Sequence, residues 1–137
     1  MKKLSPELQR MFEHAKKARE NSYSPYSGHK VGASLVTADG EIFSGCNVEN
    51  ASYGATVCAE RAAIQNAISQ RGKIEIKEIL VLTDENPAWP PCGMCRQVIS
   101  EFVFQTAIVH ICNLSGETKT LPFAELLPNA FSFPKDG

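Results

Sequence analysis

Three cysteines and a glutamate stand where they can act together: Cys58-Ala59-Glu60 and, further on, Cys92-Gly93-Met94-Cys95. Residues three apart on a helix are neighbours, so Cys92 and Cys95 can aim both sulfurs at one point. Zinc takes four ligands in a tetrahedron, and three thiolates leave the fourth place to water, which is the arrangement of a catalytic site. The metal would bring that water's pKa down to roughly 7, and Glu60 is the candidate to move the proton. Residues two apart on a regular helix point to different sides, so Cys58 and Glu60 can cooperate only if Cys58 sits on the first, still open turn. Three thiolates leave zinc electron-rich; Arg61 can draw charge away by hydrogen-bonding a ligand sulfur, and Arg96 is a second candidate for that role.

Other uses of these cysteines remain open on the residues alone. Redox pairs and structural zinc ribbons share the Cys-x-x-Cys spacing, and Cys46 or Cys112 can complete a closed, four-sulfur structural site. Against that, a closed site has no use for Glu60. Cys46 and Cys112 read better as small buried strand residues. His14 reads as a solvated helix residue, His110 as a strand residue with no ligating partner, and Trp89 as a packing residue near the site mouth.

The elements that must position these groups follow from periodicity and punctuation. Ser5 and Pro6 open a helix as cap and first residue, with Leu8, Met11, Phe12, Ala15 and Ala18 at helical spacing. Residues 21–28 read as a loop. Val31 to Thr37 and Ile42 to Val48 read as strands joined at Asp39-Gly40, a hairpin signal. A second helix, with Ala59, Ala62, Ala63 and Ala67 for close packing, runs from near Cys58 to Gln70. Ile79 to Leu82 is a strand buried on both faces. A third helix is expected from Cys92 to Phe104, a strand from Ala107 to Cys112, a turn from Asn113 to Glu117, and a short final helix from Phe123 to Leu127. Helix, hairpin, helix, strand, helix, strand is an α/β order, a mixed sheet with helices on its faces.

The chain has 137 residues, 43% of them hydrophobic and 21% charged, with a net charge of −1. One domain spanning residues 1–137 is expected, and it is neither low-complexity nor disordered. A protein that holds long nucleic acid usually carries a basic surplus; here the balance points to a small substrate and no nucleic-acid partner. No apolar run is long enough for a membrane. Met1-Lys2-Lys3-Leu4 mimics a signal peptide start, but Ser5-Pro6-Glu7 follows where an apolar segment should be, so a cytoplasmic location is expected.

Cys58-Ala59-Glu60 followed by Pro91-Cys92-x-x-Cys95 matches the pattern of zinc nucleoside and nucleobase deaminases. The likeness extends to Tyr26-Ser27, Val31-Gly32-Ala33, the run from Gly45 to Ala51, Arg61, Arg96-Gln97-Val98 and Leu126-Leu127-Pro128. In combination these residues resemble the small, homotetrameric cytidine deaminases. The resemblance implies a three-layer α/β/α fold, one zinc ion per subunit on Cys58, Cys92 and Cys95, and hydrolysis of cytidine and 2′-deoxycytidine. In such enzymes zinc hydroxide attacks C4 of the pyrimidine, and the residue matching Glu60 protonates N3 and then the departing amine. Asn47 and Glu49 match the pair that binds the ribose 3′-hydroxyl. Ala59 and His29 match substrate-binding positions, the latter packing against the base. Ala51, Tyr53 and Phe131 match positions that reach the site of a neighbouring subunit, Phe131 covering the base.

His29 departs from the family, which usually has Phe there. A neutral imidazole stacks on a base, whereas a charged one is costly against it, so weaker substrate affinity is expected below about pH 6.5. Three other functions compete: deamination of a modified cytosine nucleoside, editing of a polynucleotide, and a non-catalytic zinc-stabilised module that binds pyrimidines. Relatives of the first kind lack the Asn47-x-Glu49-Asn50 stretch, and editors generally have His where this chain has Cys58.

Overall fold

Ser5 opens the first helix of the computed structural model, which describes residues 4–133. Its hydroxyl accepts the Leu8 N–H at 3.3 Å, and α1 runs over Pro6–Arg19 with Met11, Phe12 and Ala15 buried. Residues 1–3, within the Met1-Lys2-Lys3-Leu4 start, and 134–137, the end of the expected domain, lie outside the described residues.

The hairpin forms, with β1 at Gly32–Thr37 and β2 at Ile42–Cys46, the second strand stopping short of Val48, which bridges to Tyr23 and Val57 instead. Gly40 in its turn has φ +85°, a backbone region that glycine enters without steric cost. After α2 (Ala59–Arg71) comes β3 (Ile76–Thr83), antiparallel to β1. Then α3 (Gly93–Ser100) crosses over to β4 (Val103–Asn113), which lies parallel to β3. The five-stranded sheet has the order β2-β1-β3-β4-β5, with β5 at Thr118–Pro122.

Strand alternation divides the core in two. Ala33, Leu35, Ile79, Val109 and Ile111 pack with Ala63, Ile64 and Ile99 of α2 and α3. Val36, Leu80, Leu82 and Cys112 pack with Met11, Phe12 and Ala15 of α1 on the opposite face. The architecture is therefore three-layered, α/β/α. Two glycines let the helices approach. A side chain at Gly32 would meet the Ala15 carbonyl oxygen at 2.1 Å, and one at Gly45 would meet the Ala63 nitrogen at 2.4 Å. The alanines of α2 do bring it close, and β2 is what they bring it close to.

Three expectations need correction. The third helix ends at Ser100 rather than Phe104, because Val103 already pairs with Ile76; an apolar run such as Phe102-Val103-Phe104 serves either structure, and the sheet claims it. The strand β5 was not foreseen. It is an edge strand whose residues are partly or fully exposed, so it carries no hydrophobic alternation. Finally, residues Phe123–Glu125 form a single 3-10 turn instead of a helix reaching Leu127. The Asn113 turn is as expected: its side-chain oxygen accepts the N–H groups of Ser115 and Glu117, both at 3.1 Å.

Candidate metal centre and active site

Both cysteine-bearing helices begin on a cysteine. Cys58 is the N-cap of α2 with φ −73° and ψ 156°, and Cys92 is the N-cap of α3 with φ −68° and ψ 168°. Each is extended backbone just before the first turn, so Cys58 meets the open-turn condition under which it and Glu60 can cooperate. Neither side chain caps its own helix, which leaves both sulfurs free to turn toward each other at two electropositive helix ends.

The sulfurs of Cys58, Cys92 and Cys95 lie within 4.8 Å of one another, with Cys58 and Cys92 at 3.8 Å. Zinc–sulfur bonds of about 2.3 Å in a tetrahedron put two sulfurs about 3.8 Å apart. The donor set fits zinc in type and in spacing. The three thiols perturb one another. The Cys58 thiol is pulled down to about 5 by hydrogen bonds from the Cys95 thiol and from Arg61. Cys95 is pushed up by its hydrogen bond to Cys58 and by burial.

Arg61 supplies some of that charge. Its Nη2 donates to the Thr56 carbonyl oxygen at 3.0 Å and reaches the Cys58 sulfur at 3.7 Å. Its Nε is buried without a hydrogen-bond partner, the one such side-chain nitrogen or oxygen among the described residues. Arg96 does something else: its Nε donates to the Pro91 carbonyl at 2.8 Å and its Nη1 to that of Leu126 at 3.0 Å. It ties the start of α3 to the C-terminal segment rather than to a sulfur. Cys46 and Cys112 lie outside the cluster, half-buried and buried respectively.

Glu60 is only 4% exposed. Burial pushes its carboxyl up to about 7, and the neighbouring Cys58 thiolate adds to the rise. It lines a cavity of about 270 Å³ together with Cys58, Cys92, Ala59, Asn47 and Glu49. The carboxyl end of β3 contributes Val81 and Thr83. A larger cavity of about 530 Å³, beside Arg96 and Lys119, holds none of these groups. Chemistry rather than volume picks the site.

Asn47 and Glu49 are brought there by a short ladder. Val48 and Val57 exchange two backbone hydrogen bonds of 2.9 Å, which lays the chain before Cys58 along residues 47–49. The Asn47 side-chain oxygen accepts the Val31 N–H at 2.9 Å and the Ser22 hydroxyl, and its Nδ2 donates to the His29 carbonyl at 2.8 Å. Glu49 accepts the N–H groups of Tyr26 and Ser27 at 2.9 and 3.1 Å, and the Ser27 hydroxyl. The Ser27 hydroxyl and backbone hold its carboxyl below the ordinary value. An amide nitrogen has two hydrogens and a carboxylate about four acceptor positions. One donor on Asn47 and one acceptor position on Glu49 therefore remain, the complement of a hydroxyl.

His29 and Trp89 also line the cavity. His29 has a partner that the sequence reading missed: its Nδ1 lies 3.0 Å from a Glu85 carboxylate oxygen. Ala51, Tyr53 and Phe131 are not among the cavity walls. Tyr53 is 81% and Phe131 64% exposed, and the Phe131 carbonyl is held by Gln97 Nε2 at 3.1 Å. The clamps Ser22 and Ser27 were also missed; the only signal was a serine-rich loop facing an Asn-x-Glu segment.

No described helix is long and apolar enough to cross a membrane. Comparison with known proteins agrees with the geometry. The family described as "Cytidine and deoxycytidylate deaminase zinc-binding region" matches residues 5–111. A cytidine deaminase of Sporosarcina psychrophila is 44% identical over 126 residues, covering 92% of each chain. One from Halalkalibacterium halodurans is 44% identical over 124 residues, covering 90% of this chain and 93% of the other. The crystal structure of a Burkholderia pseudomallei cytidine deaminase superposes with a TM-score of 0.85 at 42% identity, covering 93% of this chain and all of that one. Sulfur cluster, sheet order and sequence identity converge, and the chain belongs to the zinc-binding cytidine and deoxycytidylate deaminases.

Proposed function

We propose that this protein hydrolyses cytidine and 2′-deoxycytidine to uridine and 2′-deoxyuridine, releasing ammonia. The observation that carries the reading is Glu60: a carboxyl buried in a cavity wall, beside three sulfurs spaced for zinc, and pushed up to about 7. Cys58, Cys92 and Cys95 would hold the zinc, which supplies the Lewis-acid charge that makes water nucleophilic at neutral pH. Glu60 does the proton work. A carboxyl that titrates near neutrality can take a proton from water, deliver it to N3 of the pyrimidine and pass the next to the departing amine. Arg61 draws charge from the Cys58 sulfur.

Asn47 and Glu49 hold the sugar through the donor and acceptor left after the loop is satisfied. One hydroxyl suffices for that pair, and the 3′-hydroxyl is common to ribose and deoxyribose, which supports both substrates. Ala59 forms a small-residue part of the wall and His29 an aromatic part beside the base. Ala51, Tyr53 and Phe131 belong to a neighbouring subunit's site in a homotetramer. Large rings so exposed on a single chain favour that reading, as does their not lining this chain's own cavity. Three reduced thiols suit a reducing compartment, and we place the protein in the cytoplasm, in one domain over residues 1–137.

The test is spectrophotometric. Zinc-loaded protein should convert the cytosine absorbance of cytidine to that of uracil, and a zinc chelator should stop it. Binding of nucleosides with no spectral change would replace the enzyme with a pyrimidine-binding module.

A further inference from the structure

The two residues before Cys92 are prolines, which have no backbone N–H to donate. Hydrogen bonds can fix that stretch only through its carbonyls. Pro91 is fully buried, and its carbonyl oxygen accepts from Arg96 Nε at 2.8 Å. The Cys92 side chain makes no capping hydrogen bond, so its place at the start of α3 depends on the residue that holds Pro91. The other two sulfurs are secured differently. The Val48–Val57 ladder and Arg61 hold the chain around Cys58, and Cys95 is packed into the core.

The same guanidinium has a second hold. Arg96 Nη1 donates to the Leu126 carbonyl at 3.0 Å, and the next side chain, Gln97, donates through Nε2 to the Phe131 carbonyl at 3.1 Å. Among the described residues, the last backbone hydrogen bond along the chain runs from the Leu126 N–H to the Phe123 carbonyl at 2.8 Å. Past that point residues 128–133 are exposed, and the hydrogen bonds that hold the segment come from these two α3 side chains. It carries Phe131 and Phe133, packed edge to face with centroids 4.8 Å apart and planes at 83°. Cys95, Arg96 and Gln97 are consecutive. One turn of helix therefore holds a sulfur, the stretch before Cys92 and the C-terminal segment together.

We propose that Arg96 is a positioning residue for the metal centre and, with Gln97, makes residues 126–131 a brace for it. Holding the segment holds the Arg96 guanidinium, and that guanidinium holds the backbone leading into Cys92. Coupling between two sites is reciprocal: what loosens the segment weakens zinc binding, and loss of zinc loosens the segment. The inference rests on the three sulfurs as zinc ligands and on no particular substrate.

Zinc affinity is measured by competition with a chromophoric chelator in wild type, Arg96→Ala, Arg96→Lys and Gln97→Ala. Hydrogen–deuterium exchange over residues 126–131 is followed with and without zinc, and the metal-free proteins are unfolded in denaturant to check the fold. The zinc Kd should rise about tenfold in Arg96→Ala. Lysine still offers a donor, so Arg96→Lys should recover part of that loss. Gln97→Ala frees only the far end of the segment and should raise the Kd about threefold. Exchange over residues 126–131 should quicken in Arg96→Ala and in zinc-free wild type. The proposal is overturned if Arg96→Ala loses unfolding stability but keeps wild-type zinc affinity, if Gln97→Ala speeds exchange with no change in zinc affinity, or if zinc leaves exchange in the segment unchanged. The wild-type exchange and Gln97→Ala decide the matter even where Arg96→Ala fails to fold. Absence of cytidine turnover, with these zinc effects intact, would sink the deaminase reading and leave the brace standing; a wild type that takes up no zinc would sink both.

Discussion

Two carboxyl-bearing clusters lie in this fold, one part-buried in the sheet and one buried at the helix starts, and they differ in kind. In the sheet, His110 Nε2 donates to Glu78 at 2.7 Å, and its Nδ1 meets the Thr120 hydroxyl at 2.8 Å. The carboxylate fixes the hydrogen on Nε2, so in the neutral ring Nδ1 accepts from the threonine. Three strands, β3, β4 and β5, are joined by polar groups that satisfy one another. At the other cluster Glu60 is buried beside sulfurs that compete for negative charge, and a guanidinium nitrogen of Arg61 finds no partner. The first arrangement is closed on itself and holds structure; the second gathers three sulfurs at the spacing of a metal site beside a buried carboxyl. Polar groups that satisfy one another mark architecture, and ligand-type side chains gathered beside a buried carboxyl in a cavity mark chemistry.

The largest effect should come from removing a sulfur. Cys92 is exposed at the cavity mouth, so Cys92→Ala should fold yet lose zinc and turnover together, measured by metal analysis and the cytidine assay. Retained zinc with retained turnover would erase the distinction between the two clusters. Next comes Glu60→Gln, which should keep zinc while kcat falls by about 10²- to 10⁴-fold. Loss of metal in that variant would make Glu60 a ligand rather than the proton carrier.

Glu78→Ala should do the reverse. It leaves a buried imidazole nitrogen unpaired, which costs about 1–3 kcal/mol of stability in denaturant unfolding, while kcat on cytidine is unchanged. A large loss of turnover with stability intact would mean that the closed cluster, too, serves the reaction.

The smallest effect concerns acid. Glu49 has its carboxyl held below the ordinary value by Ser27 and Tyr26. Its hydrogen bonds therefore stabilise the folded loop fully above the unfolded-state value of about 4.3. That contribution is lost as pH falls through the lower, folded-state value. The Tyr26 and Ser27 amide resonances should titrate with a midpoint below 4.3; a midpoint at or above it would contradict the loop clamp.

The two clusters were not equally legible in the sequence. Cys58, Glu60, Cys92 and Cys95 declare themselves because zinc restricts both residue type and spacing, and the alanine-rich run of α2 and the Pro90-Pro91 pair before α3 place them on helix starts. His110, Glu78 and Thr120 are far apart in the chain, and only the sheet register brings them together. For the same reason Glu85 was invisible as a partner of His29, since it joins the ring across a loop. The edge strand β5 escaped because an exposed strand needs no hydrophobic alternation, and the end of α3 because apolar β-branched and aromatic residues serve helix and strand alike.

The central claim is that three sulfurs hold the zinc and leave one position to solvent. X-ray absorption at the zinc edge of the loaded protein tests it most directly. It should give three sulfur neighbours at about 2.3 Å and one lighter atom at about 2.0 Å. Four sulfur neighbours would close the site and contradict the account.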